Sequence, residues 1–548
     1  MQTSDHTKLS EMRKIIHILL LINVMALLSC NKDFLTRDNP TATTDDKWWK
    51  LESDLKAALN VAYGGLPCGT LGNYDYIENS RMHLSGAADE SVHRANFGDW
   101  QNYPLGLATN TAWSATGVYT QDYKFIRNAS RFLEHYEGAY VENPDLKKRY
   151  AAEARALRAW YHLELFLFYG NIPIVDHSLL PDEAAAVRAT KDEVISFITT
   201  ELEKAAVDLP PSYSDDDSWR MTKGSCYAMQ SILYINTGDY AKTIEASRKL
   251  IDLGVYQLYR STNASVNNYA GLFSYEAVGS NNKERIFFRR NAQSEVFFRN
   301  APKSLGCQSA TTPTAAIVNA YETLQGKTIF ELGTDSVAVY TASPKFKSNR
   351  DPRMNASILV PGDVFVNRTL DPFTDGSPDK IGQPQSTFTG FWTKKYLDPK
   401  DASQIYSGSQ NFMIIRYAEI LLNYVEALIE TDAWQNPDVV KYLNEIRNRA
   451  GMPNVDVAVY NSKDKMRELL RRERQVELAF EGPRLFDIRR WKIAEQILNG
   501  PVYGAYDPVA KKPIIVEQRT FNPQKDYVWP IPLNELNANR NMVQNPGW

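Results

Sequence analysis

The stretch from Met466 to Trp491, MRELLRRERQVELAFEGPRLFDIRRW, constrains the fold most. At helical period Met466, Leu469, Val476 and Phe480 share one stripe, with Glu473 in its middle and Glu477 at its edge. A carboxylate on a core-facing stripe needs a fixed cation, because losing one member of a buried pair costs about 3–5 kcal/mol. The expected cations are Arg484, Arg489 and Arg490, beyond a Gly482-Pro483 break that ends the helix and returns the chain. Glu473, Glu477, Arg484 and Arg489 are therefore expected to form a structural ion-pair network. The other reading is a catalytic glutamate activated by arginines.

The 548-residue chain is 43% apolar and 23% charged, an ordinary globular composition. A formal charge of -3 lacks the basic surface that a nucleic-acid partner demands. Cys30, Cys68, Cys226 and Cys307 form no CxxC pair and no zinc spacing. No HExxH or GxSxG occurs, and Gln325-Gly326-Lys327-Thr328 has Tyr321 where a phosphate loop needs its first glycine. His162-Leu163-Glu164 sits in an apolar helix and reads as packing. No catalytic residue, metal or cofactor is expected.

Arg13 and Lys14 precede an apolar run from Ile15 to Leu28, too short for a comfortable span and suited to a secretion signal, with Met12 an alternative start. The run closes Leu27-Leu28-Ser29-Cys30, a lipobox pattern in which the Cys30 thiol is acylated. Residues 1–29 are thus expected to be a signal peptide, 30–46 a lipidated tether and 47–548 one domain. Acyl chains on Cys30 would hold a soluble body on a membrane without a transmembrane helix.

Helical spacing marks Trp48 to Tyr63, the Tyr119-Tyr123-Ile126-Phe132 segment, Ala151 to Tyr169 and Lys191 to Val207, each ended by a breaker. In Arg220 to Leu253, Tyr227, Ser231, Tyr234, Gly238, Tyr240 and Thr243 take the large, small and glycine places of a tetratricopeptide hairpin, with Gln230 departing from the expected leucine. Asn411 to Ala450 repeats the idea. The fold class is mostly α: a tetratricopeptide-like scaffold of about four helix pairs over residues 112–255 and 411–500, with long irregular insertions and a few short strands. Arg285-Ile286-Phe287-Phe288 and Glu295-Val296-Phe297-Phe298 read as strands.

The irregular segments, about 68–111 and 256–410, hold the expected ligand contacts. Flat rings stack on sugar C–H faces while amides and guanidinium groups take hydroxyls. On that chemistry the candidates are Tyr74, Tyr76, Arg94, Asn96, Trp100, Asn102 and Tyr103 in the first segment, and Tyr275, Arg289 and Asn291 in the second. The other role open to such rings is to pin the loops to the helices beneath. Asp89-Glu90 and Asp215-Asp216-Asp217 have the carboxylates for glycoside hydrolysis or for holding calcium, but read first as solvated loop charge.

RRERQVELAFEGPRLFDIRRW resembles the C-terminal signature of the SusD/RagB family, surface lipoproteins that capture nutrients for outer-membrane transporters. CNKDFLTRDNP resembles the start of mature members, and Tyr527-Val528-Trp529-Pro530-Ile531-Pro532 through NPGW resembles their closing motif, so 501–548 is expected to pack back on the body. The resemblance implies a non-catalytic binder, lipid-anchored on the outer membrane and facing outside. It would capture oligosaccharides and deliver them to a SusC-like TonB-dependent barrel. Left open are RagB-like capture of peptides, a lipid-anchored glycoside hydrolase using an Asp/Glu pair, and a purely structural adaptor.

Overall fold

Leu51 opens the first body helix, α1 (Glu52–Ala62), which buries Leu55 and Leu59. It belongs to a computed structural model that describes residues 10–18, 48–67, 81–93, 99–279, 281–290 and 295–548. The expected signal peptide beyond Ile18, the tether and Cys30 lie outside those residues. Among the described residues no helix is long and apolar enough to cross a membrane.

Two long helices follow, α2 (Trp113–His135) and α3 (Pro144–Tyr169). Asn143 starts α3 by accepting from the Asp145 and Leu146 amides, and Pro144 fits the first turn, where no amide donor is needed. The helix therefore begins seven residues earlier than its apolar run. It is buried on most of its circumference because it is sandwiched between α2 and α4 (Lys191–Asp208).

The tetratricopeptide pattern is a true hairpin of α5 (Lys223–Thr237) and α6 (Tyr240–Asp252). Gly238 turns it with φ 77°, a left-handed value that a side chain would strain. The small positions meet in the pair: Ser231 Oγ and Ser247 Oγ are 2.8 Å apart.

Residues 254–411 are mostly irregular, and short ladders stitch them to the frame. Strand β1 (Ser91–His93) pairs antiparallel with β3 (Thr311–Pro313), Val92 opposite Thr312. Strand β2 (Arg285–Arg289) pairs with β4 (Phe412–Arg416), which leads into the second helical pair. Segment Glu295–Phe298 is not the expected strand. Val296–Asn300 is a short helix, α7, which turns Phe297 into the core and leaves Phe298 half-buried. Further along come α8 (Ala315–Ala320) and α9 (Pro352–Ser357).

The second pair, α10 (Tyr417–Glu430) and α11 (Pro437–Ala450), packs with α5, α6 and α12 (Lys463–Glu477). The stripe of α12 is divided between two cores. Met466 and Leu469 join the main helical core, while Val476 and Phe480 join one made with Ile317, Met354 and Phe391 of the insertion. Gly482, at φ 105°, then turns the chain into α13 (Pro483–Arg490); a Cβ there would come 2.9 Å from Arg81 Cδ. Residues 501–548 contain more than a packing tail, because β5 (Gly500–Asp507) and β6 (Lys512–Arg519) form a hairpin. The end does pack back: Trp529 is buried, and Asn545 donates to the Tyr169 and Trp529 carbonyls at 2.9 and 2.7 Å.

Candidate functional site

Glu473 and Glu477 are buried and paired, but not with the arginines of the returning chain. Glu473 accepts from Arg353 and from Arg447 Nη1 at 3.0 Å. Glu477 accepts from Arg353 Nη1 at 3.0 Å, from Arg416 Nη1 at 2.6 Å and from Arg449. Burial alone would raise the Glu477 carboxyl, yet Arg449, Arg416 and Arg353 together outweigh it and hold the group well below the usual range. Arg416 also binds Glu284 and Glu481, and Lys395 Nζ donates to Glu481 at 2.6 Å. The network thus ties the insertion to the frame, through residues far apart in sequence.

The expected partners serve elsewhere. Arg484 makes a bidentate pair with Asp89, both bonds 2.7 Å, so Asp89 is a buried anchor and not solvated charge. Arg489 donates to the Asp526 carbonyl at 3.2 Å and lies over the Trp529 ring, and Arg490 pairs with Glu426 and Asp487. Glu90 is also buried; burial and the neighbouring Asp89 push its carboxyl up to about 8. Asp217 pairs with Arg149 and Arg220. His162 is a packing residue, its Nε2 accepting from the Val175 amide at 3.1 Å. A catalytic role for Glu473 or Glu477 has no geometric support, because guanidinium groups occupy their oxygens and solvent does not reach them.

The expected ligand contacts divide into three groups. Tyr74, Tyr76, Arg94, Asn96 and Asn291 lie outside the described residues. Trp100 and Tyr103 are core residues: Trp100 is 1% exposed, Tyr103 stacks on Trp529 with centroids 4.4 Å apart, and Trp100 lies 5.4 Å from the same ring. Neither ring has a face left for a ligand, so that expectation is corrected. Asn102 is half-buried, and its carbonyl caps the turn by accepting from the Leu107 and Ala108 amides. Tyr275 and Arg289 lie in the insertion and are half-buried.

Arg289 donates through Nη1 to the carbonyl of Leu66. That bond sets Leu66 beside the end of β2. The insertion also carries an open aromatic platform. The Tyr275 hydroxyl donates to Asp401 Oδ1 at 2.6 Å and accepts from the Ser409 amide at 2.9 Å. The same 398–409 segment carries Tyr406, 56% exposed, whose ring lies 4.4 Å from that of Phe298. Arg299 covers Phe298 at 5.5 Å and Lys400 covers Tyr275 at 5.8 Å. Aromatic faces fringed by cations, carboxylates and hydroxyls on irregular backbone suit a flat polar ligand. Sequence reasoning missed Phe298 and Tyr406. The strand reading of 295–298 hid the first, and Tyr406 stands in a Ser- and Gly-rich run without periodicity.

Comparison with known proteins agrees with this architecture. A family described as starch-binding associating with outer membrane matches residues 33–235. SusD-like protein P2 of Formosa agariphila is 23% identical over 551 residues, covering 97% of this chain and 99% of its own. The Starch-binding protein SusD of Bacteroides thetaiotaomicron is 24% identical over 508 residues, 82% of each chain. A crystal structure of a SusD-like carbohydrate binding protein from Bacteroides fragilis superposes with a TM-score of 0.80 at 26% identity, covering 90% of this chain and 99% of that one. The SusD family profile itself matches residues 269–548, just over half the sequence, and the chain belongs to the SusD family.

Proposed function

We propose that this protein is a non-catalytic carbohydrate-binding lipoprotein of the outer membrane, which captures oligosaccharides and delivers them to a SusC-like TonB-dependent barrel. The exposed Tyr406 ring, set 4.4 Å from that of half-buried Phe298, carries the reading, because it offers a ring face to a sugar on a family fold. Relatives named as starch-binding and as carbohydrate binding support the ligand class. The Leu27–Cys30 lipobox supports an anchor through the acylated Cys30, with the body facing outside. Tyr74, Tyr76, Arg94, Asn96, Asn291 and Arg289 are proposed as further contacts on residue type, and Asn102 on its partial exposure.

Isothermal titration against a panel of neutral and acidic oligosaccharides tests this. Saturable binding by at least one is the expected result. Binding of peptides with none of any glycan moves the protein to the RagB-like peptide-capture reading, and release of reducing ends moves it to the hydrolase reading.

A further inference from the structure

A second polar and aromatic recess lies on another part of the molecule. A cavity of about 380 Å³ opens between α8 and the end of α12, and one of about 330 Å³ lies between α8 and the β5–β6 hairpin. Both are lined by Ala316 and Asn319, so they are two lobes of one groove floored by the small residues of α8. Each lobe is within the size range of small-ligand sites, about 300–1,000 Å³.

Each lobe has an exposed ring: Phe330, 61% exposed, in the first and Tyr503, 45% exposed, in the second. The Asn319 side chain lines both lobes and so lies between the two rings. Three guanidinium groups line the first lobe, and two are neutralised: Arg484 by Asp89 and Arg472 by Glu322. Arg471 has no carboxylate within ion-pair distance among the described residues. It is backed by the Trp491 ring at 4.7 Å, and its buried Nε lacks a hydrogen-bond partner. Glu468, largely exposed, is the one carboxylate lining that lobe. The Glu426 and Glu430 carboxylates attract Arg471 from beyond ion-pair distance, but each is already paired, with Arg490 and Arg467 respectively. A half-buried guanidinium with no carboxylate bonded to it favours an anionic ligand, and its planar fork suits a planar or tetrahedral oxyanion.

We infer that this groove is a second glycan site, selective for chains bearing a carboxylate or sulfate. Arg471 takes the oxyanion, Phe330 and Tyr503 pack against sugar faces, and Asn319 bonds hydroxyls between them. The inference rests on the carbohydrate-binding reading above but uses none of the residues of the Tyr406 platform.

The test is isothermal titration of the full chain with three oligosaccharides of equal length: an oligogalacturonate, a sulfated dextran fragment and a neutral dextran fragment. Wild type, Arg471→Gln, Phe330→Ala and Tyr406→Ala are compared. Affinity for the acidic ligand should fall about tenfold or more in Arg471→Gln, as for loss of a charge-assisted hydrogen bond, and should also fall in Phe330→Ala. It should survive in Tyr406→Ala. Whichever acidic ligand binds identifies carboxylate or sulfate as the group recognised. Phe330→Ala removes an exposed ring, so it separates lost binding from lost folding.

Unchanged acidic binding in Arg471→Gln and Phe330→Ala overturns the inference, as does its loss in Tyr406→Ala alone. Binding of the neutral fragment with neither acidic one also overturns it and leaves surface capture standing. No glycan binding at all, or Arg471-dependent binding of an acidic peptide only, overturns both.

Discussion

Tyr406 and Phe298 hold their rings 4.4 Å apart at 44°, and the Phe298 amide donates to the Ile405 carbonyl at 3.3 Å, so backbone and ring contacts fix the pair together. Because Tyr406 faces solvent, Tyr406→Ala should leave stability within about 0.5 kcal/mol, as for other surface substitutions. Its affinity for a neutral oligosaccharide should drop about tenfold, near 1.4 kcal/mol. Paired titration calorimetry and urea denaturation check both. Unchanged affinity removes the platform from the account.

Arg416 joins Glu284, Glu477 and Glu481, all buried. Arg416→Met should leave those carboxylates under-compensated and cost about 3–5 kcal/mol in urea denaturation. Arg467→Ala is the control. Its pair with Glu430 is partly exposed, so a loss below about 1 kcal/mol is expected. Similar losses in the two variants would show that the network does not bind insertion to frame.

Two buried acids tilt stability in opposite senses. Glu477 is held below its ordinary value, so its contribution is present above pH about 4.5 and fades as pH falls. Glu90, pushed up to about 8 by burial and then by Asp89, favours the fold below pH about 4.5, and that contribution is lost as pH rises toward 8. Glu419, raised to about 7 chiefly by burial, acts in the same direction as Glu90. Buried His83 and His162, both lowered by desolvation, pull the other way up to pH about 6.5. The prediction is therefore the difference: relative to wild type, Glu90→Gln should gain stability as pH rises from about 4.5 to 8, while the acid-side loss persists. Urea midpoints across that range measure the slopes, and identical slopes contradict the assignment.

The frame was legible because each helix carries its own stop: Gly170, Gly238 and the Leu209-Pro210-Pro211 run need no distant partner. The same local logic placed Glu473 and Glu477 as buried, paired acids. It chose the wrong cations, since Arg353, Arg416, Arg447 and Arg449 reach them only through the fold. Trp100 failed likewise. Nothing in its neighbourhood indicates that Trp529, more than 400 residues later, covers it. Phe298 was misjudged because the short apolar run Val296-Phe297-Phe298 reads equally as a strand or as one helical turn.

The anchor is tested in cells. Cys30→Ala should move the protein from the membrane fraction to the soluble one, since the acylated thiol is the proposed attachment. Retention in the membrane pellet after a salt wash would contradict a lipid anchor at this residue.

Capture without cleavage is the central claim, and one titration with product analysis tests it most directly. Purified protein is mixed with the tightest-binding oligosaccharide of the panel, heat of binding is recorded, and the mixture is held for hours and assayed for new reducing ends. The account predicts a saturable isotherm and an unchanged oligosaccharide. Accumulating reducing ends, or peptide binding with no glycan bound, would contradict it.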